Sequence, residues 1–158
     1  MLEVVVLIGF QGAGKSTFRA QRFAETHAVV SKDLFRNNRR PERRQQQLIA
    51  EALAGGRSVV VDNTNPSVEE RAAIIETARG ASARVVAFYF DSPLAACAAR
   101  NDARPLEARV PEVGLRATAR RLVRPSLREG FSEIWTVHTL PDTRFEIAPY
   151  EESPDEPR

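Results

Sequence analysis

One cysteine, two histidines, two lysines and one tryptophan stand among the 158 residues of this chain, and each scarcity excludes something. A single thiol, Cys97, cannot form an internal disulfide, which fits a reducing compartment and makes a cytoplasmic protein the expectation. Its place in an alanine-rich stretch suits a small buried filler. His27 and His138 are isolated from one another and from Cys97, so they read as structural residues rather than metal ligands. No apolar run approaches the roughly 18 residues a membrane-crossing helix needs, so no membrane partner is expected. Met1-Leu2-Glu3 leads straight into a strand pattern, with no signal-peptide pattern ahead of it. Internal repeats and low-complexity tracts are absent. What remains is enough for one domain, with 42% hydrophobic residues for a single core and a monomer as the default expectation.

The charge is unevenly spread. Residues 1–145 carry 22 basic and 16 acidic side chains, a net of +6, whereas residues 146–158 carry 1 and 5, a net of −4. Of the 23 basic residues, 21 are arginine. Guanidinium forks match phosphate oxygens two at a time, though a genomic bias toward arginine produces the same count. The acidic end, proline-rich from Pro149 onward, has little to bury and is expected to be disordered, leaving 1–145 as the folded domain and 146–158 as a tail.

The richest stretch is Gly9-Phe-Gln-Gly12-Ala13-Gly14-Lys15-Ser16, which fits G-x-x-x-x-G-K-[ST] at every fixed position. Ahead of it Val4-Val5-Val6-Leu7-Ile8 is an unbroken apolar run, the mark of a fully buried parallel strand. Behind it Thr17 to Ala24 reads as a helix. Strand, glycine loop and helix in that order aim backbone N–H groups and a helix N-terminus at one spot, which binds polyphosphate. Lys15 is placed for the β- and γ-phosphates and Ser16 for Mg²⁺, with ATP as the expected donor.

Five β-rich runs alternate with helical ones: 3–8, 28–31, 57–62, 84–90 and 132–137. The alternation predicts an α/β fold with a mostly parallel, five-stranded sheet flanked by helices. The helices are punctuated. Residues 41–54 stop at Gly55-Gly56, Ser67-x-x-Glu70 resembles a capping box, Ser92-Pro93 opens a helix running to about Arg104, and a last helix covers 112–124, with Leu115, Ala119, Leu122 and Val123 on its buried face. Arg144-Phe-Glu-Ile147 has the alternation of one short edge strand.

Ligands of open parallel sheets sit at the carboxyl ends of the strands. Asp62 ends the third strand after three valines. It is placed for the water shell of Mg²⁺, or caps the turn Asn63-Thr64-Asn65-Pro66. Asp33 follows the second strand in Ser31-Lys32-Asp33-Leu34-Phe35-Arg36. There a carboxylate accepts the proton of an attacking hydroxyl, or simply caps the next turn. Arg36, three residues on, falls on the same face. Arg100 and Arg104, at i and i+4, precede a loop with Pro105, Val110 and Pro111. They either close over the γ-phosphate as a lid or form a solvated face. Arg36, Arg39, Arg40, Arg43 and Arg44 are either a polyanion track or a solvated face.

Together these stretches resemble the 5′-hydroxyl polynucleotide kinases, the P-loop kinase domains of the bacteriophage enzyme and of the animal kinase/phosphatase. The resemblance runs from about residue 4 to 137 through Gly9–Thr17, Ser31–Arg36, Val60-Val-Asp62-Asn-Thr-Asn65-Pro with Arg71, Arg100–Arg104 with Val110-Pro111, and Pro125–Phe131. It implies a P-loop fold with strand order 2-3-1-4-5 and an arginine-bearing lid. Asp33 would be the general base on a DNA or RNA 5′-hydroxyl, Arg36 the holder of the acceptor's neighbouring 3′-phosphate, and Thr64 a further acceptor contact. Arg104 would act on the transferred phosphate with Arg100 nearby, and Gly9, Gly12, Ala13, Gly14, Lys15, Ser16 and Thr17 would cradle the nucleotide. Lys32 stands where such kinases often carry arginine. Small-molecule kinases share the fold and a similar base, so a nucleoside or sugar hydroxyl is the alternative acceptor. A nucleotide-binding regulatory module without phosphotransfer is the third possibility, and it would have no use for Asp33.

Overall fold

A computed structural model gives the architecture, and it describes residues 1–152. Six strands form one sheet in the order β2-β3-β1-β4-β5-β6. β1 (Glu3–Ile8), β3 (Ser58–Asp62) and β4 (Arg84–Phe90) lie at its centre, β2 (His27–Val30) on one edge, and β5 (Glu133–Leu140) with β6 (Arg144–Pro149) on the other. The pairings from β2 to β5 are all parallel, with Val5 beside Val60 and Val86 in the middle of the sheet. The valine runs go there because both faces are covered, which leaves no room for a polar alternation.

The two faces divide the core. Val4, Val6, Val59 and Val61 pack under α2 (Pro41–Ala54) and α3 (Val68–Gly80), through Ile49, Leu53, Ile74 and Ile75. Val5, Leu7 and Val60 point the other way, onto α1 (Lys15–Phe23) and α4 (Leu94–Asp102), where Phe18, Phe88, Phe90 and Cys97 meet. Phe18 lies 5.3 Å from each of the rings of Phe88, Phe90 and Phe145, mostly edge to face. Each buried valine or leucine contributes on the order of 1.5–3 kcal/mol, and the glycine loop hangs from the end of the most buried strand.

Helix α2 spans the predicted residues, with Pro41 in its first turn and Gly55 at its end. Ser67 caps α3 by accepting from the Glu70 N–H at 3.2 Å. Glu70 itself pairs with Arg121 instead of completing a capping box. Ser67→Ala is therefore expected to cost about 1 kcal/mol, as for other lost N-caps, read from the midpoint of a urea titration.

Three expectations need correction. The sheet has six strands, not five, and the sixth runs antiparallel to β5, with Val137 opposite Ile147. Residues 146–149, assigned to the tail from their charge, belong to that strand because Phe145 and Ile147 pack against the core beneath α1. Residues 150–152, expected to be disordered, are also described: Tyr150 packs against the core and its hydroxyl donates to the Pro125 carbonyl at 2.7 Å. Residues 153–158 of the expected tail lie outside the described residues. Finally, α5 (Glu112–Arg121) stops three residues early. Leu122 turns extended and Val123 is 48% exposed, because the Val123 backbone is claimed by the loop after β3: its N–H donates to the Pro66 carbonyl at 2.8 Å.

Candidate active site

The carboxyl ends of β1, β2 and β3 converge, and a cavity of about 170 Å³ opens there. Its walls include Lys15, Ser16, Thr17, Asp33, Asp62, Thr64 and Arg104. Residues scattered over ninety positions of the chain thus face one space. Gly12 and Gly14 make the loop possible. Both have positive φ, 81° and 95°, and a Cβ at Gly12 would lie 2.4 Å from the Cys97 carbonyl oxygen. Only glycine fits such a position.

Lys15 folds back onto its own loop, donating to the carbonyls of Gly9 at 2.9 Å and Phe10 at 2.6 Å. Burial pushes its pKa down to about 8, with the Asp62 carboxylate acting in the opposite direction. A buried ammonium whose hydrogen bonds end on carbonyls has charge to spare, and an entering phosphate would raise its pKa again by favouring the charged form. Ser16 Oγ donates to Asp62 Oδ2 at 2.8 Å, and Arg19 Nε meets the same oxygen at 2.9 Å. No group of three or more His, Cys, Asp or Glu side chains placed to hold a metal occurs among the described residues.

On the acceptor side, Asp33 sits in a single 3-10 turn, Lys32–Phe35, capped by Ser31. Its carboxylate pairs with Arg36 at 3.4 Å, both side chains about three-quarters exposed at 77% and 74%. Asp33 lines the cavity, whereas Arg36 stands just outside its walls. Arg104 enters from the loop after α4. Arg100, expected beside it, does not line the cavity; its guanidinium donates to the Gly12 carbonyl at 3.3 Å and steadies the back of the loop. Gly9, Gly12 and Ala13 likewise shape the loop rather than line the cavity.

The sequence did not reveal the framework that holds these groups together. Four consecutive residues, Asp62 to Asn65, each tie down a different element. Asp62 holds Ser16. Asn63 accepts from the Lys32 N–H at 2.9 Å and donates to buried Gln45 of α2 at 2.6 Å, fixing the Asp33 turn. The Thr64 carbonyl accepts from the Gly9 N–H at 3.1 Å. Asn65, in the left-handed region at φ 47°, donates to the Leu7 carbonyl at 2.7 Å. Behind them Arg71 is fully buried, forked onto Glu129 and donating to the carbonyls of Asn65, Pro66 and Val123. Asn101 braces the arginine loop, donating to the Val110 carbonyl at 2.7 Å and accepting from its N–H at 2.9 Å. Gln11 reaches across to Thr118 of α5 at 2.9 Å. One signal was available: Gln45 shares the 45-49-53 spacing of an apolar helix face, and a polar residue there must have a buried partner.

With this geometry in hand, a family described as an AAA domain matches residues 4–125. The bifunctional polynucleotide phosphatase/kinase of Schizosaccharomyces pombe is 28% identical over 136 residues, which cover 84% of this chain and 32% of its own length. The resemblance read from the motifs is met by this relative, of which the chain spans about a third. A fungal RNA kinase shares the fold with a TM-score of 0.66 at 17% identity, over 86% of this chain and 38% of that one. So does a sugar kinase from Janibacter, with a TM-score of 0.66 at 16% identity, over 87% of this chain and 86% of that one.

Proposed function

The chain belongs to the AAA domain family, and from that premise we propose that it is a kinase moving the terminal phosphate of ATP to a 5′-hydroxyl end of DNA or RNA. The observation that supports this best is one cavity walled at once by Lys15, Asp33, Asp62 and Arg104. A site for nucleotide binding alone has no use for a carboxylate on the side away from the phosphate loop.

In this reading the loop amides and Lys15 hold the β- and γ-phosphates. Asp33 takes the proton of the acceptor hydroxyl as its oxygen bonds to the γ-phosphorus. The bond from that phosphorus to the β–γ bridging oxygen breaks, and ADP leaves with the electron pair. Arg104 faces the charge that spreads over the transferred oxygens. Arg36 holds the phosphate on the acceptor's 3′ side, and Thr64 contacts the acceptor between them. Ser16 and Asp62, a hydroxyl and a carboxylate 2.8 Å apart, are the hard oxygen donors Mg²⁺ accepts along with water. Ser16 would hold the ion directly and Asp62 through water, and the ion would supply charge neutralisation for the phosphates.

The acceptor side supports a polymer over a metabolite. Asp33 and Arg36 are about three-quarters exposed, so the acceptor end is open to solvent rather than closed around a small ligand. An acceptor whose terminal sugar enters while the rest stays outside suits that shape. The test is transfer of label from γ-labelled ATP·Mg²⁺ to a 5′-hydroxyl oligonucleotide, run beside nucleosides and sugars. Label on the 5′ end is the expected result. Label on a metabolite alone would replace the acceptor, and ATP binding without transfer to anything would overturn the kinase reading.

A further inference from the structure

A second cavity, of about 260 Å³, lies outside the site just described and is walled by Asn38, Arg39, Arg40, Arg43, Arg44 and Gln47. It begins five residues after Asp33, at Asn38, and is built on the same helix that buries Gln45 against Asn63. At 100° per residue, positions 40, 43, 44 and 47 cluster on one side of α2, opposite the buried Gln45, Ile49 and Leu53. One face of the helix is thus fastened to the floor of the catalytic cavity while the other presents guanidinium groups.

Four arginines in one concavity repel each other. A structure normally offsets this with carboxylates, yet none lines this cavity. Glu42, the acid of the same helical turn, pairs with Lys32 at 3.1 Å. Among the described residues the side chains of Arg39, Arg40, Arg43 and Arg44 form no ion pair. Single unpaired arginines also occur elsewhere on the described surface, Arg57 and Arg79 among them, but here four share one concavity. The backbone that forms the rim is held: Asn38 Oδ1 accepts from the Arg40 N–H at 2.8 Å, and Pro41 sets the first helical turn. Fixed, concave, uncompensated positive charge is a site for a multiply charged anion with regularly spaced phosphates.

We propose that this arginine cleft binds the phosphodiester backbone of the acceptor strand, 3′ to the nucleotide whose 5′-hydroxyl enters the catalytic cavity. This rests on the kinase reading above for the direction of the strand. The cleft carries no aromatic side chain, so it reads phosphate rather than base and discriminates by strand length rather than by sequence. The enzyme is therefore a kinase for strand ends: a nucleoside 3′-phosphate reaches Asp33 and Arg36 but leaves the cleft empty.

The experiment compares wild type with the Arg43→Ala/Arg44→Ala variant on 5′-hydroxyl acceptors from a nucleoside 3′-phosphate to a 12-mer, with binding of the fluorescent 12-mer followed by anisotropy from low to high salt. In wild type, KM falls with length and then levels off once the strand spans the cleft. The variant is expected to raise the 12-mer KM by about 10–100-fold and to leave kcat and the KM of the nucleoside 3′-phosphate unchanged. The slope of log affinity against log salt should drop by about 1.4, two contacts at about 0.7 each for a single strand. Equal KM values for the 12-mer in both proteins would overturn the proposal, as would a variant that weakens short and long acceptors alike. If no oligonucleotide is phosphorylated, the assignment of a strand end as acceptor fails, and the anisotropy arm still decides the cleft: binding weakened in the variant with the reduced salt slope upholds a polyphosphate strand site, and binding unchanged by the variant removes it.

Discussion

Asp33→Asn is expected to lower the turnover of phosphoryl transfer by about 10²–10⁴-fold, the range general-base catalysis supplies, while ATP affinity stays within about twofold of wild type. The asymmetry follows from where the residue sits. Asp33 is on the 3-10 turn after β2, its N–H donates to Ser31 Oγ and its carboxylate pairs with Arg36, while its charge acts on Lys15 of the glycine loop only weakly. Its side chain is 77% exposed, so an amide of the same size has room and costs the fold nothing. Of the two carboxylates among the described residues that line the cavity, Asp62 is engaged with Ser16 and Arg19, so removing Asp33 would take away the remaining acceptor for the proton of an entering hydroxyl. Single-turnover transfer to a 5′-hydroxyl oligonucleotide, with nucleotide binding measured separately, separates the two quantities. Arg36→Ala gives a contrasting pattern, a raised KM for acceptors carrying a 3′-phosphate with turnover changed much less. Unaltered turnover in Asp33→Asn would remove the base from the mechanism and leave Asp33 as a turn residue.

The parts of the molecule legible in the sequence are those where local chemistry and global fold agree. β1 reads from five apolar residues in a row, α2 from the proline at its start and the glycines at its end, and the phosphate loop from glycines that no other residue can replace at φ 81° and 95°. The strand order implied by the family resemblance holds for the first five strands. β6 was blurred because its signal is only two apolar residues, Phe145 and Ile147, set in an acidic, proline-rich neighbourhood. What seats them is the hydrophobic cluster around Phe18, more than 120 positions away. The site divides in the same way. Motif spacing names Lys15, Asp33, Asp62 and Arg104 as residues of interest, and they share a cavity. Arg100 looked equivalent to Arg104 at helical spacing, yet a hydrogen bond to the Gly12 carbonyl takes it behind the loop. The asparagines after Asp62 looked like turn residues, because their partners are backbone groups of β1 and of the turn after β2 that no local pattern encodes.

Arg71 provides the largest stability effect expected in the molecule. It is fully buried, and all of its outgoing hydrogen bonds end on charge or on carbonyl oxygen: Nε and Nη2 on the two oxygens of Glu129, Nη1 on the carbonyls of Asn65, Pro66 and Val123. Glu129 closes the pattern by accepting from the Ser126 N–H at 2.9 Å in a complete capping box. One guanidinium thus joins the loop that carries Asp62, the exit of α5 and the entry to β5. Arg71→Ala strands a carboxylate that is 8% exposed, and breaking a buried pair in this way costs about 3–5 kcal/mol. Arg71→Lys should recover little, since a single ammonium cannot reproduce a planar fork that serves two separate walls. Arg71→Met with Glu129→Leu is expected to be clearly more stable than either single change, because no charge is then left unpaired in the interior. Urea titrations of wild type, Arg71→Ala, Arg71→Lys, the two single changes Arg71→Met and Glu129→Leu, and the double variant measure this directly. A loss below about 1 kcal/mol in Arg71→Ala would mean that water reaches Glu129 and that the join is not what holds the loop. If the join does hold it, the double variant should recover only part of the lost stability and still lose transfer activity, because the Asn65 and Pro66 carbonyls of the loop after Asp62 no longer have a donor.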